Sequence, residues 1–526
     1  MPVKLALWVV GVLACQVAVG LGQTIAEPPS LHAMEWAAHL NDPLDDPPPK
    51  VVVPAKLSAS AQQGSATLRP CKAIFGYLPY WESVEGAANI RWNLLTHAAF
   101  FSVGANADGT ISNPHGWPNH SRWKGSLAQA RAHGVKVILV ATNFDPSSIY
   151  TLITTPAYKN AFFENIKAQI LAGEADGLNI DFEGGNSPPW RGAALNAFMA
   201  ELTAYLHTEL PGSEVSFAGP AVNWGGWDLA GLAASCDYIF IMGYNYYYSE
   251  SATSGPCAPL TGGSRNLTRT LDDDYGTVTR NNPEKLILGY PSYGGHWTTQ
   301  TSEPRSARIS FVSSTRFRDD YGAALIHGRL WDTVSQTPWY RWHDGTNWHQ
   351  VWYDDGESVG LKCRLAKERN LKGVGMWALN YDGALPYMWD ELDRELGAAA
   401  GDADGDGIGD ACDSCTDTDG DGYGDPGYPA NTCPLDECPD VPAGPGEGMN
   451  GCPPVIPGDL DDDGDVDRFD VNKFILCISG VGSPHNGSSM CEKADIDSDG
   501  DVDQDDFGIL QRCFSGEGVQ ASPECK

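Results

Sequence analysis

Eight short runs of β-branched, aromatic and aliphatic residues recur between residues 73 and 377, and stretches with helical periodicity separate most of them. The runs span residues 73–77, 95–102, 136–141, 177–182, 214–218, 238–244, 285–290 and 373–377. Strands that alternate with helices over about 325 residues predict an α/β fold, a (β/α)₈ TIM barrel. The interval between the seventh and eighth runs is long. Polar and aromatic residues alternate over 298–353 within it, which predicts a small inserted β-rich subdomain.

The N-terminal region lacks this alternation. Lys4, an apolar run over 5–19 and the small residues Gly20 and Gly22 predict a signal peptide over 1–22, because the run is too short for a spanning helix. A lipidation site at Cys15 stays open as an alternative. The composition of 23–70, rich in Pro, Ala and Asp, predicts a linker.

The negative charge of the chain is concentrated at its C-terminal end. The net charge is -34, and residues 401–526 carry 30 Asp plus Glu against 5 Lys plus Arg, a net of -25. This distribution argues against nucleic acid and anionic membranes as partners and suits divalent cations. No segment after the leader is long and apolar enough to span a membrane. A secreted, extracellular protein, with attachment to the cell surface as an option, is expected to form disulfides among its 14 cysteines, in a pairing that the sequence does not determine.

The sharpest chemical pattern covers residues 176–183, Asp-Gly-Leu-Asn-Ile-Asp-Phe-Glu. On a strand, Asn179, Asp181 and Glu183 share one face, while the three apolar residues between them share the other. The polar face then points toward the barrel interior and the carboxyl end of the strand, where active sites of this fold lie. Two carboxyl groups one pleat apart repel each other, so one of them retains a proton and can serve as the acid that glycosidic cleavage needs.

This segment resembles the strand-four signature of family 18 glycoside hydrolases, usually Asp-Gly-x-Asp-x-Asp-x-Glu. Three later segments resemble the family's strands six, seven and eight in order: 242–245 (Met-Gly-Tyr-Asn), 288–294 (Leu-Gly-Tyr-Pro-Ser-Tyr-Gly) and 375–377 (Gly-Met-Trp). The resemblance covers about residues 71–396. It implies a retaining, substrate-assisted hydrolase of β-1,4-linked N-acetylglucosamine that needs no cofactor for catalysis.

The resemblance also implies the role of each residue. Glu183 would be the acid and base, Asp181 would hold the acetamido N–H, and Tyr244 would bind the acetamido oxygen. Trp377 would form the floor under the sugar ring. Asp176, Met242 and Asn245, which belong to the matching motifs, are further substrate-binding candidates. Tyr80, Trp81, Trp224 and Trp297 follow expected strand ends and are candidates because sugar rings stack on aromatic side chains.

Two positions depart from the family pattern. Asn179 stands where many members have Asp, and chitobiase-like and spore-cortex-lytic members resemble this sequence there. Asn can hydrogen-bond Asp181 without adding charge. Asn245 replaces the Asp that usually follows the strand-six Tyr. We expect these two changes to shift the pH profile rather than to abolish activity.

Asp-rich loops repeat in the acidic region with Gly at the sixth position, the spacing of EF-hand calcium loops. Residues 401–428 resemble thrombospondin type 3 calcium repeats, 429–457 form a Cys, Pro and Gly linker, and 458–526 resemble a dockerin, which docks onto cohesin-type proteins. The predicted ligands of structural Ca²⁺ are Asp402, Asp404, Asp406, Asp410, Asp417, Asp419, Asp421, Asp425, Asp459, Asp461, Asp463, Asp467, Asp470, Asp495, Asp497, Asp499, Asp503 and Asp506.

The sequence leaves the substrate open. Chitin or its oligomers are favoured over peptidoglycan, which also contains N-acetylglucosamine. A chitin-binding lectin without activity is a third interpretation, which the presence of Glu183 disfavours.

Overall fold

The computed structural model describes residues 27, 30–42, 70–82, 87–397, 403–406, 409–410, 413–428, 431–442, 449–452 and 455–526. The predicted signal peptide, Cys15, most of the predicted linker and Asp402 lie outside these residues. Within the described ranges, none of the helices has the length and apolar character that a bilayer crossing requires.

Eight parallel strands close into a barrel, which confirms the predicted fold. They are β1 (Ala73–Pro79), β2 (His97–Ala105), β3 (Lys136–Asn143), β4 (Gly177–Phe182), β5 (Glu214–Pro220), β6 (Tyr238–Met242), β7 (Leu286–Pro291) and β8 (Gly373–Trp377). The barrel closes because β1 pairs with β2 on one side and with β8 on the other. A short strand, Ile111–Ser112, adds antiparallel to the end of β2.

Helices surround the barrel and bury the outward-facing side chains of the strands. They are Ser121–Ala132, Pro146–Thr154, Pro156–Gly173, Ala193–Glu209, Leu229–Ser235, Leu267–Arg269, Thr270–Asp274 (a π turn), Gly276–Asn281, Gly356–Glu368 and Tyr387–Leu396. The larger apolar cluster lies between strands and helices and includes Leu178, Ile180 and Phe182. A second cluster fills the barrel interior, with Phe75 and Tyr77 from β1 among its members. The site described below lies above this inner cluster, at the carboxyl ends of the strands.

The interval between β7 and β8 holds the predicted insertion, a five-stranded antiparallel sheet with one helix. Its strands are Tyr293–Thr299, Arg308–Arg316, Leu330–Asp332, Thr337–His343 and Trp348–Trp352, and its helix is Phe317–His327. It begins at Tyr293, a few residues earlier than expected, because only Ser292 separates β7 from the first inserted strand.

A helix that the sequence did not predict, α1 (Leu31–His39), lies within the Pro-rich stretch. The Ser30 hydroxyl accepts a hydrogen bond from the backbone N–H of Ala33 at 2.9 Å and so caps its first turn. A nine-residue helix is marginal alone in water, so contacts elsewhere must stabilise it. Leu31 and His32 are buried against the barrel mouth and supply those contacts.

The C-terminal region is a pair of loop–helix repeats. Its helices are Arg468–Cys477, Ser489–Ala494 and Gln504–Cys513. Equivalent backbone hydrogen bonds join the two repeats. The Val502 carbonyl accepts from the Ser479 N–H at 3.0 Å, and the Val466 carbonyl accepts from the Ser515 N–H at 2.9 Å. The disulfides Cys477–Cys491 and Cys513–Cys525 crosslink this region. Cys415–Cys433 and Cys438–Cys452 crosslink the residues that precede it.

Candidate active site

The alternation of side chains along β4 builds the centre of the site. Asn179 and Asp181 point inward and are fully buried, while their apolar neighbours point to the surrounding helices. Glu183 follows the last residue of β4, so its carboxyl group lies at the barrel mouth with a side-chain exposure of 12%. Gly184 follows at φ +128°, a conformation that favours glycine and lets the chain turn away at once.

Asn179 anchors the lower part of this face. Its side-chain oxygen accepts from the Tyr77 hydroxyl at 2.7 Å, and its side-chain nitrogen donates to the Ser216 hydroxyl at 3.0 Å. The expected hydrogen bond to Asp181 is not among these contacts. Asn179 therefore orders the barrel interior below the reacting groups.

Asp181 and Glu183 form a largely buried carboxyl pair, and one oxygen of each lies within 4.8 Å of the other. Burial, and then the neighbouring Asp181 charge, raise the pKa of Glu183 to about 8. Burial also raises the pKa of Asp181, one of whose oxygens, Oδ1, has no hydrogen-bond partner among the described residues. The pair therefore keeps a proton near neutral pH, as a general acid requires.

The end of β6 supplies Met242, Tyr244 and Asn245. Burial raises the pKa of Tyr244 well above its usual value, so its phenol stays protonated and can donate a hydrogen bond. Asn245 adopts φ 61° and accepts from the Tyr293 hydroxyl at 3.2 Å. Met242, Tyr244 and Asn245 all line a cavity of about 770 Å³ that also reaches Glu183.

Aromatic side chains line the groove from two sides. Trp377, at the end of β8, is fully buried in the inner cluster and lies 6.3 Å, centroid to centroid, from the half-buried Trp81. Trp224 lines the cavity on the β5 side, with the Arg265 guanidinium 3.6 Å from its ring centroid. Trp81, Trp224 and Trp377 thus border the site, and their stacking on sugar rings stays a prediction.

Three predicted substrate-binding residues lie elsewhere. Tyr80 is fully buried outside the barrel interior and stacks on His115 at 3.3 Å, because its side chain faces the helices. Trp297 packs with Trp339 and Trp352 in the core of the inserted subdomain. Asp176 precedes β4 at the opposite end of the barrel, where its carboxylate accepts from the Val137 N–H at 2.7 Å. These three predictions were wrong, because motif proximity does not fix which face or strand end a side chain occupies.

Sequence reasoning missed the residues of α1, which lie in the groove. His32 contacts Asp181 through Nδ1 at 2.9 Å and Tyr244 through Nε2 at 2.7 Å. Ser30 donates to Glu183 Oε1 at 2.5 Å, and Glu35 accepts from Trp377 Nε1 at 2.7 Å. The available signal was a helix cap, Ser30, followed by a run of helix-forming residues within an otherwise Pro-rich stretch.

Comparison with known proteins agrees with this geometry. The family described as "Glycosyl hydrolases family 18" matches residues 73–382, more than half of the chain. The chain belongs to glycosyl hydrolase family 18. Its (β/α)₈ barrel, the β4 motif and the ends of β6 and β8 are the parts of the family pattern that surround Glu183.

Individual relatives span only part of the chain. Human "Di-N-acetylchitobiase" is 32% identical over 256 residues, 42% of this chain and 64% of that protein, so the chain spans a little under two thirds of that relative's length. The "Putative sporulation-specific glycosylase YdhD" of Bacillus subtilis is 26% identical over 260 residues, 48% of this chain and 58% of that protein. A solved GH18 chitinase from Cycas revoluta in complex with (GlcNAc)3 shares the fold, with a TM-score of 0.53 at 20% identity over 61% of this chain and 98% of that one.

The C-terminal region matches the dockerin type I domain over residues 457–515, which confirms the dockerin resemblance. Asp459, Asp461 and Asp470 bring carboxylate oxygens within 4.8 Å of one another in the first loop. The second loop folds alike, since Asp470 accepts from the Asp467 N–H at 2.8 Å and Asp506 from the Asp503 N–H at 2.9 Å. Asp506 also accepts from the Asp497 N–H at 3.0 Å. Each of the other predicted ligands accepts a hydrogen bond from a backbone N–H of its own loop. They are Asp463, Asp467, Asp495, Asp499 and Asp503.

The upstream acidic repeats give two further carboxylate clusters. Asp417, Asp419 and Asp421 form one, and Asp404 and Asp406 form the other together with Asp413, which sequence reasoning missed. Asp410 accepts from the Ala403 N–H at 2.8 Å, and Asp425 accepts from the Thr418 hydroxyl. Several carboxylate oxygens here are buried without a hydrogen-bond partner among the described residues, including both oxygens of Asp419. Such oxygens fit hard cations such as Ca²⁺. The assignment to thrombospondin type 3 repeats stays a prediction.

Proposed function

We propose that the chain hydrolyses β-1,4 N-acetylglucosaminyl linkages with retention of the anomeric configuration, and that chitin or its oligomers are the favoured substrate. The observation that carries this proposal is that Asp181, Tyr244, Trp377 and Glu183 surround one place at the carboxyl end of the barrel, since His32 contacts the first three and lies 3.7 Å from the fourth. Family membership and the relative named for chitobiase support it.

The proposed reaction starts at Glu183. Its carboxyl proton moves to the glycosidic oxygen while the bond from that oxygen to C1 breaks. The carbonyl oxygen of the substrate's 2-acetamido group forms a bond to C1 and yields a cyclic oxazolinium ion, so the enzyme needs no nucleophile of its own. Asp181 accepts a hydrogen bond from the acetamido N–H, which carries positive charge in this ion. Tyr244 donates a hydrogen bond to the acetamido oxygen.

The second step restores the enzyme. Glu183, now a carboxylate, takes a proton from water, and the water oxygen attacks C1 and displaces the acetamido oxygen. The two displacements occur on opposite faces, so the β configuration is retained. Asp181 and Glu183 lie too close together to act as the acid and base of an inverting pair, whose carboxyl groups stand roughly 6.5–9.5 Å apart to leave room for water.

Peptidoglycan is the alternative substrate, and the sporulation-specific relative favours it. The full chain and its Glu183→Gln variant should be incubated with N-acetylchitooligosaccharides and with purified peptidoglycan, and the released reducing ends measured. Cleavage of the oligosaccharides by the wild type but not the variant supports the proposal, and cleavage of peptidoglycan alone supports the alternative. Binding of chitin without cleavage of either polymer, by the full chain and by a variant whose Ser30 and His32 no longer contact Glu183 and Asp181, would instead support a lectin.

We further propose that the Asp-rich loops bind structural Ca²⁺ and that the dockerin domain docks onto a cohesin-type protein outside the cell. The exposed apolar side chains Phe469, Leu476 and Phe514 on this domain support a protein partner. The four disulfides whose cysteines both lie among the described residues support an extracellular or cell-surface location. Calorimetric titration with Ca²⁺, followed by a cohesin pull-down with and without a chelator, tests both statements.

A further inference from the structure

We propose that residues 30–42 are a built-in pseudosubstrate, which we call the groove segment, and that the enzyme is latent while this segment occupies the sugar-binding site. The segment consists of Ser30, α1 and the residues up to Asp42. The inference rests on the proposed function, because it assigns the contacts of the segment to places that the substrate would fill.

His32 occupies the place of the sugar whose linkage is cleaved. Its ring stacks on Trp377 with a centroid distance of 3.8 Å and an interplanar angle of 28°. A sugar ring and an imidazole cannot share this position, since 3.8 Å is the contact distance of stacked rings. His32 is fully buried there, among Tyr77, Phe101 and Tyr244.

The hydrogen bonds of His32 reproduce those expected of an acetamido group. With its proton on Nδ1, the imidazole donates to Asp181 and accepts from the Tyr244 hydroxyl. The acetamido group of the substrate would likewise donate through N–H to Asp181 and accept through its carbonyl oxygen from Tyr244. One neutral side chain thus satisfies the two residues that would orient the internal nucleophile.

Ser30 blocks the catalytic acid. Its hydroxyl donates to Glu183 Oε1 at 2.5 Å, in the place where the glycosidic oxygen would receive a proton. The same oxygen of Glu183 lies 3.7 Å from His32 Nδ1. Glu183 therefore faces the groove segment on the side that a substrate must approach.

The rest of the segment continues along the groove. Glu35 accepts from Trp377 Nε1 at 2.7 Å and from the Tyr381 hydroxyl at 2.8 Å. His39 stacks on Trp81 with a centroid distance of 4.4 Å and an interplanar angle of 10°. Outside the segment, Glu27 pairs with the buried Arg191 at 2.6 Å. Because it contacts successive positions along the groove, the segment binds there as a ligand would and does not merely pass over it as a linker.

The chain length allows the segment to leave without unfolding the barrel. Residues 43–69 connect it to the residues before β1, and 27 residues can span at most roughly 90 Å. Displacement by substrate or cleavage within this connection would open the site. Because the open fraction sets the observed rate, a stable closed state lowers activity without changing the catalytic groups.

The test uses the full chain with the triple substitution Ser30→Ala, His32→Ala and Glu35→Ala, which removes contacts of the segment and leaves the barrel intact. We expect its initial rate on N-acetylchitooligosaccharides to exceed that of the wild type at least ~tenfold. The matched control, Ala38→Ser, changes an exposed residue of the same helix and should leave the rate unchanged.

A synthetic peptide of residues 30–42 provides the second arm. Added to the triple variant, it should bind in calorimetry and inhibit hydrolysis in competition with substrate, whereas the same peptide with His32→Ala should bind at least ~tenfold more weakly. Equal rates of wild type and triple variant, together with no binding of the peptide, would overturn the inference. If no variant hydrolyses any substrate, the proposed function fails, while peptide binding still decides whether the segment occupies the groove.

Discussion

Replacing Asp181 with Asn tests the electrostatic coupling at the centre of the site. The substitution keeps the shape of the side chain and removes one charge whose oxygens lie within 4.8 Å of Glu183. At an effective dielectric constant of about 20, two charges at that distance repel by roughly 3 kcal/mol. This repulsion is part of what raises the pKa of Glu183, so its removal should make Glu183 lose its proton more easily.

The expected result concerns the basic limb of the pH profile of kcat/KM. General acid catalysis ends when the pair loses its last proton, so this limb should move toward lower pH by roughly 2 pH units in Asp181→Asn. The maximal rate should also fall roughly 10- to 100-fold, because a charge-assisted hydrogen bond to the acetamido N–H is lost.

The assay is a series of initial rates on a chromogenic chitobioside between pH 4 and pH 10, run in the full chain and again with the groove-segment triple substitution. The melting temperature of Asp181→Asn, measured beside that of the wild type, provides the control for general disturbance of β4. A basic limb that stays in place in Asp181→Asn would refute the coupling of the two carboxyl groups.

Three further changes separate the roles of other residues. Tyr244→Phe, introduced into the groove-segment triple variant in which His32 no longer contacts this hydroxyl, should lower kcat roughly tenfold or more, because only one hydroxyl in the site is lost; a kcat equal to that of the triple variant would contradict its role. Trp297→Ala should destabilise the chain by about 3–5 kcal/mol without a specific change in KM, whereas Trp224→Ala should raise KM with little loss of stability; the reverse pattern in denaturation and kinetics would contradict their placement. Chelation of Ca²⁺ should lower the melting temperature of the dockerin domain and leave barrel turnover unchanged, since the loss of a ligand present at 100 times its Kd costs about 2.7 kcal/mol; equal melting curves with and without chelator would argue against structural Ca²⁺.

Periodicity along the chain was sufficient to predict the barrel. All eight predicted runs overlap the observed strands, because each strand buries both faces or alternates strictly, as in the β4 motif. The same alternation placed Asp181 inward, and the position of Glu183 followed from the end of the strand.

Contacts between distant segments could not be read from the sequence. Tyr80 follows β1 directly, yet the turn directs it toward His115 rather than toward the groove. Trp297 follows β7 closely, but it belongs to a sheet whose core forms only when Trp339 and Trp352 meet it. Residues 31–39 carry a weak helical signal, and only contacts with distant groove residues, such as that of His32 with Asp181 149 positions along the chain, stabilise them as a helix.

The anomeric form of the first product tests the central claim most directly. Hydrolysis of N-acetylchitotetraose should be followed by proton NMR within the first minutes, before mutarotation equilibrates the products, with the groove-segment triple variant as enzyme. Substrate-assisted catalysis by Glu183 and Asp181 predicts an initial excess of the β anomer over its equilibrium share. An initial excess of the α anomer would mean that water attacks the sugar directly, and it would contradict the proposed mechanism.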